Sequence, residues 1–335
     1  MTPTLQPSLV NTLSPRARLS GLAVLFLTLT GCASLSPDGG FGAVERATAQ
    51  RLGSPAQLVW VRQPQDLERI GQRVGELLAR PLGMDDAVQI ALLNNRGLQS
   101  AYAELGITEA EVVQAGRLPN PGISLGRVTK GDEVELERGI HFNVARLVAL
   151  PLVQRVEARR LEQVRTMVAL QVLSLAADTQ KAWVHAVAAE ESVRYSRQVM
   201  QAAEASAELA RRMAQVGNFN KLQQAREQVF YADAAVNLVR AEQQQRAARE
   251  RLTRLLGLWG AQTSFKLPER LPDLPRQPRE LPDIERIALT QRLDVQAARS
   301  GAEATAQNLG LTRTTRFINV LELGLVRTSS NEAPT

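Results

Sequence analysis

Between Leu152 and Val216 the chain contains neither proline nor glycine, an uninterrupted stretch of 65 residues. As a single helix it would be about 98 Å long, several times the usual length of a globular helix, which points to a coiled coil or a helical tube. Leu161, Val164, Val168, Val172 and Leu175 recur along it at spacings of three and four. Gly217-Asn218-Phe219-Asn220 interrupts the run, and a second helix of about 35 residues is expected to reach Leu255-Leu256-Gly257, where glycine suits a C-terminal cap. Leu222, Ala225, Val229, Ala232, Val236 and Val239 form a heptad-like seam on this helix, with enough alanine for close helix approach.

Upstream, the segment from Met84 to about Gly116 reads as one helix, ended by Leu118-Pro119-Asn120-Pro121-Gly122. Two strands follow. Ile123–Val128 is the first; the second alternates through Val134, Leu136, Ile140, Phe142 and Val144, with Glu135, Glu137, His141 and Asn143 opposite. Thr129–Asp132 is the expected turn, and Pro151 the expected boundary before the long helix. Arg138 and the three glutamates 133, 135 and 137 are expected on a lumenal or loop surface. The Pro-rich stretch from Leu267 to Pro282 reads as a connector outside the core.

An internal repeat links the two ends of this pattern. Ile90-Ala91-Leu92 and Leu98-Gln99-Ser100-Ala101 match Ile287-Ala288-Leu289 and Val295-Gln296-Ala297-Ala298, each at an offset of 197 residues. The same offset carries Ile123 to Val320, inside an expected strand Phe317–Leu325. The second copy is expected to be incomplete, with one partial strand and about 130 residues fewer than the first.

The N-terminus reads as an export signal. Arg16 and Arg18 precede the apolar run Leu19–Leu29, too short for a permanent membrane span. Leu29-Thr30-Gly31-Cys32 follows and resembles a bacterial lipobox, in which Cys32, the only cysteine, is lipidated and becomes the first mature residue. The expected organisation is therefore a signal peptide at 1–31, a tether and equatorial segment at 32–82, a first repeat at 83–257, a connector at 258–282 and an incomplete second repeat at 283–335.

Composition excludes several functions. One cysteine and two histidines cannot form a disulfide or a structural zinc site within the chain. Aromatics are 4%, too few for a base-stacking or carbohydrate surface, and a formal charge of +6 spread through mixed-sign helices argues against nucleic acid. No catalytic constellation, phosphate loop or cofactor motif is present in the sequence, so an enzyme is not expected. His141 reads as a lumen or rim residue, with a weak metal contact as the sharper alternative, and His185 as a packing or interface residue beside Trp183. Asp85-Asp86 reads as a helix N-terminal charge pair. Arg211-Arg212 and the basic run from Arg246 to Arg254 read as solvated helix faces.

In this order, the lipobox, Ile90-Ala91-Leu92-Leu93-Asn94-Asn95, Leu118-Pro119-Asn120-Pro121, Val216-Gly217-Asn218, Gln224-Ala225-Arg226, Leu252–Gly257 and Arg292-Leu293-Asp294-Val295 resemble the TolC-like outer-membrane efflux proteins, lipoprotein branch, over about residues 80 to 325. The resemblance implies a mainly α fold, with long coiled-coil-like helices forming a periplasmic α-barrel and short strands contributing to a shared transmembrane β-barrel. It also implies a homotrimer in the outer membrane, extending into the periplasm. Each protomer would give four strands, and a periplasmic adaptor and an inner-membrane efflux pump would be partners. The duct would be a passive exit for metals or small toxic compounds. A lipid-anchored periplasmic structural or adaptor protein, or a truncated channel remnant, is the alternative.

Overall fold

The computed structural model describes residues 35–52, 56–277, 282–316 and 321–330. Cys32 and residues 317–320 of the expected last strand lie outside them. The helices are α1 (Phe41–Leu52), α2 (Pro64–Leu78), α3 (Met84–Asn94), α4 (Arg96–Ala115), α5 (Val144–Gln215), α6 (Lys221–Leu256), α7 (Ile284–Gln291) and α8 (Leu293–Thr315). Strands β1 (Gly122–Lys130), β2 (Glu133–Asn143) and β3 (Glu322–Ser330) form one antiparallel sheet in that order. The chain divides into two compact units: Met1–Pro37, Glu109–Arg160 and Ala302–Thr335, and Asp38–Thr108 with Leu161–Gly301. No helix among the described residues is long and apolar enough to cross a membrane.

In the first unit, α5 begins at Val144, seven residues before Pro151, so the expected boundary at that proline is corrected. The reason lies in the cap. Arg146 N donates to Asn143 Oδ1 at 2.8 Å, and Val144 N and Ala145 N donate to Leu321 O at 2.8 and 3.3 Å. The first three orphan amides of the helix are thus satisfied, which offsets the one hydrogen bond that Pro151 forfeits further on. The hairpin turn is also tighter than expected. Lys130 pairs with Glu133, leaving Gly131-Asp132 as a two-residue loop. Gly131 has φ +63 and Asp132 does not have positive φ, the type II′ pattern that matches strand twist. The third strand, Glu322–Ser330, has nine residues and runs five residues past the expected end at Leu325. Thr328, Ser329 and Ser330 pair with Glu137, Leu136 and Glu135 through backbone hydrogen bonding, to which their polarity is no obstacle.

The core of the second unit gathers Ile70, Val74 and Leu77 of α2, Ala87, Ile90, Ala91 and Leu93 of α3, Ala182, Trp183, Ala186 and Val187 of α5, and Leu252 and Leu256 of α6. Each fully buried Leu or Ile contributes about 1.5–3 kcal/mol. Trp183 Nε1 donates to Leu82 O at 2.8 Å, so the indole is buried without an orphaned donor. Phe265 and Leu267 join this core, which corrects the reading of the connector as lying wholly outside it. Gln89 and Gln99 each make paired hydrogen bonds to the backbone of the extended segment, at Gln57 and at Val59 and Val61, as a neighbouring strand would.

The expected single helix from Met84 breaks at Asn95, whose backbone is extended at ψ 116. Its counterpart at the 197-residue offset, Arg292, breaks the second helical pair with ψ 124. Asn95 N to Ala91 O and Gln99 N to Asn95 O are matched by Arg292 N to Ala288 O and Gln296 N to Arg292 O. The repeat is therefore a property of the backbone. Its side chains differ in fate: Ile90 and Leu92 are buried, while Ile287 and Leu289 are exposed.

The break at Asn95 serves a junction. Asn94 Nδ2 donates to Leu256 O and Gly257 O at 3.1 and 2.8 Å, and Asn95 Nδ2 to Leu255 O at 3.1 Å. Two sequence motifs about 160 residues apart thus close one contact. Gly257 has φ +66, and a Cβ there would lie 2.6 Å from Asn94 O, so only glycine fits. Asn94→Ala should cost about 1–3 kcal/mol by stranding the α6 carbonyls, and Gly257→Val should cost more, both read as a lowered thermal midpoint with helicity retained below it.

Candidate functional site

The sheet sorts its side chains sharply. Ile123, Leu125, Val134, Leu136, Ile140, Phe142, Leu323 and Leu325 share one face by register. Ser124, Lys130, Glu133, Glu135, Glu137, His141, Asn143, Glu322, Thr328 and Ser330 share the other, with Val128 and Val326 as its two large apolar members. All four strand glycines, 122, 126, 139 and 324, also fall on the polar face. Small residues on one face leave room for a sheet to curve with that face inside. The apolar face is uncovered: Leu125 is 80% exposed and Leu325 85%. The outer edges of β1 and β3 have no strand partner among the described residues. A soluble sheet buries its apolar face against another layer and protects its edges; this one does neither.

The glutamates 133, 135 and 137 lie on the polar face as expected. Arg138 does not. It stands on the apolar face opposite Leu125, a correction that follows from the period of two: it is in phase with Leu136 and Ile140. His141 lies across from Gly122 on one neighbour and Gly324 on the other, and a Cβ on Gly122 would lie 2.3 Å from its ring, so the imidazole occupies space that the glycines leave. Among the described residues no group of three His, Cys, Asp or Glu is placed to hold a metal. His185 is exposed on α5, so of its two expected roles the packing one does not hold; Trp183 two residues away is the buried one. Asp86, at the start of α3, pairs with Arg80 at 2.9 Å.

Helices α5 and α6 run antiparallel, tied by Ser206–Glu227 at 2.7 Å, Arg197–Glu242 at 3.3 Å and Arg249–Glu190 at 3.2 Å. Beyond Val193 of α5 and before Leu252 of α6, the residues buried along this pair are alanines at seven-residue spacing, Ala203 and Ala210 on α5 and Ala234 and Ala241 on α6. The expected seam on α6 is a different stripe. Leu222, Ala225, Val229, Ala232, Val236 and Val239 are all exposed, so the heptad pattern does not describe packing on α5. Sequence reading missed the alanine face because alanine carries a weak hydropathy signal next to valine and leucine.

A groove of about 540 Å³ lies between the same two helices, lined by Glu204, Glu208, Arg211, Gln228 and Tyr231 among others. Glu208 accepts hydrogen bonds from Arg211 and Arg212, both at 2.8 Å, and these hold its carboxyl down to about 2. The two arginines thus share one carboxylate, which neutralises only part of the basic doublet.

No protein-family model matches the chain, and no curated protein matches it. Solved structures do. The chain is similar to CusC, described for its transmembrane channel formation, at TM-score 0.57 and 16% identity over 75% of this chain and 65% of that one. It is similar to the outer-membrane channel OprN at TM-score 0.58 and 16% identity, over 85% and 69%. The outer-membrane protein VceC of Vibrio cholerae matches at TM-score 0.55 and 14% identity, over 75% and 68%. The chain thus spans about two thirds of the length of the structures it matches, and its fold is the mainly α, TolC-like fold of these outer-membrane channels.

A helix-surface carboxylate held this low contributes stability that is present above its ordinary pKa and lost as pH falls from about 4.5 toward about 2. A carboxyl-carbon NMR titration should place the Glu208 midpoint far below that of an ordinary glutamate, and Arg211→Ala with Arg212→Ala should return it to the ordinary range.

Proposed function

We propose that this chain is a protomer of an outer-membrane duct that exports metals or small toxic compounds as the passive exit of a tripartite efflux system. The uncovered amphipathic sheet with two open edges carries the reading. Bilayer hydrocarbon admits backbone only as helices or closed barrels, and strands of 9 to 11 residues suit its thickness. The three described strands cannot close alone, so copies would pool them, with apolar faces toward lipid and glycine-bearing faces toward the lumen.

The exposed stripe on α6 supports the same assembly. Copies in a homotrimer would cover Leu222, Val229, Val236 and Val239 with neighbouring helices, making a periplasmic helical tube. Acyl chains on Cys32 would hold the N-terminus in the outer membrane. A periplasmic adaptor and an inner-membrane pump would deliver the cargo, since the chain offers no site for coupling energy to transport.

Expression from its own signal should give an outer-membrane species of three times the protomer mass on native electrophoresis, lipid-labelled unless Cys32→Ser is introduced. In planar bilayers it should conduct ions. A monomer in the soluble periplasmic fraction, or a membrane species without conductance, would contradict the proposal and favour a lipid-anchored structural protein.

A further inference from the structure

Helices α3 and α7 hold equivalent places in the two repeats, yet their surroundings differ in one consistent way. On α3 the face formed by Ala87, Ile90, Ala91 and Asn94 meets the α5–α6 pair. Its three apolar members join the core with Ala182, Trp183, Leu252 and Leu256, and the Asn94 and Asn95 amides hold the last carbonyls of α6. The 197-residue offset carries this face to Ile284, Ile287, Ala288 and Gln291 of α7, with Arg292 in the place of Asn95. Here Ile284, Ile287, Gln291 and Arg292 are all exposed, as is the neighbouring Leu289. A third contact follows the same rule. Gln99 grips the backbone at Val59 and Val61, whereas its counterpart Gln296 donates back to Thr290 O at 2.9 Å.

Three large apolar side chains left uncovered on one eight-residue helix mark an interface. The first repeat tells which kind. The backbone break at Arg292 reproduces the break at Asn95, so positions 291 and 292 stand as 94 and 95 do. A helix C-terminus offers unpaired carbonyls and a partial negative charge. The Gln291 amide and the Arg292 guanidinium complement that end of a helix and not the N-terminal end. Arg292 is paired with Asp294 at 2.5 Å, an exposed contact that is cheap to open. The α6 end of this chain, and of any copy folded like it, is already engaged by Asn94 and Asn95.

We propose that Ile284, Ile287, Ala288, Gln291 and Arg292 form a docking surface for a helix pair of the α5–α6 kind carried by another polypeptide. The closing helix of that pair would end as α6 does, with two leucines four residues apart and then glycine, its leucines on the isoleucines and its last carbonyls on Gln291 and Arg292. The surface lies wholly within the second unit and does not depend on the duct reading.

The test titrates the full chain, purified in mild detergent, with a fluorophore-labelled fragment spanning residues 161–257 as the helix pair, and follows anisotropy. Circular dichroism checks the fragment for helicity. Where it is unfolded alone, it is joined to the chain by a flexible linker, and hydrogen exchange at α7 becomes the readout. Saturable one-to-one binding is expected. Ile284→Asp with Ile287→Asp should abolish it, and Arg292→Glu should weaken it about tenfold. The thermal midpoint of the chain should not move, because these side chains are exposed. A fragment carrying Leu252→Asp and Leu256→Asp should not bind. Absence of binding by a helical fragment, with no α7 protection in the fusion, overturns the proposal, as does binding that survives the two Asp substitutions. Binding lost on Asn94→Ala but not on Arg292→Glu would mean exchange at the α3 site and also overturns it. So would a homo-oligomer that dissociates when Ile287→Asp is introduced, which would assign the surface to a second copy. A chain that neither inserts nor conducts contradicts the duct and leaves this surface standing.

Discussion

An apolar sheet face that nothing among the described residues covers is the constraint from which the rest of this protein follows. Exposing Ile123, Leu125, Leu323 and Leu325 to water would forgo about 25 cal/mol for each Å² of apolar surface left unburied, and the open edges of β1 and β3 would invite uncontrolled pairing. In the proposed assembly a bilayer would remove the first problem and edge-to-edge closure with other copies the second. The polar face, with its four glycines and its ladder of glutamates, is then the side that water reaches. The same sheet sets the start of the longest helix, because Leu321 and Asn143 between them satisfy the first amides of α5.

The helical part obeys a second rule, that a helix can have two working faces. On α6 the alanines 234 and 241 serve the antiparallel pairing with α5, and the larger Leu222, Val229, Val236 and Val239 remain outside. Small residues inside and larger apolar residues outside is the reverse of an ordinary two-helix hairpin. It fits a helix that meets one neighbour within the chain and another beyond it. The junction at Asn94, Asn95 and Gly257 pins the C-terminal end of this helix to α3 and keeps both faces in fixed register with the core.

Much of this was legible in the sequence, for physical reasons that can be named. The long helices, the glycine break at 217 and the hairpin at 123–143 follow from residue spacing and from where proline and glycine stand. The 197-residue repeat holds for the two helix breaks, but the breaks themselves were invisible: Asn95 and Arg292 are compatible with a helix, and Asn95 is turned out by its tertiary bonds to α6. Pro151 misled because the cap at Asn143 and Leu321 combines a local residue with one far along the chain. The α6 seam is a stripe in the structure as well, but periodicity tells which residues share a face and not what that face meets. Arg138 was assigned by its charge, whereas register decides, and only the pairing with Leu125 and Arg327 revealed a cluster. Cys32 lies outside the described residues, so its role rests on the lipobox alone.

The central claim is that the two faces of the sheet meet different solvents, and nitroxide accessibility measures this directly. Single cysteines for labelling would be placed at Ile123, Leu125, Ile140 and Leu325, and at Ser124, Glu135, Glu137 and Thr328, with the protein in native membranes. The account predicts a strict alternation: the first set relaxed by lipid-dissolved oxygen, the second by an aqueous nickel chelate. Equal access of the nickel chelate to both sets would contradict it, because a sheet wetted on both faces is no wall of a membrane duct.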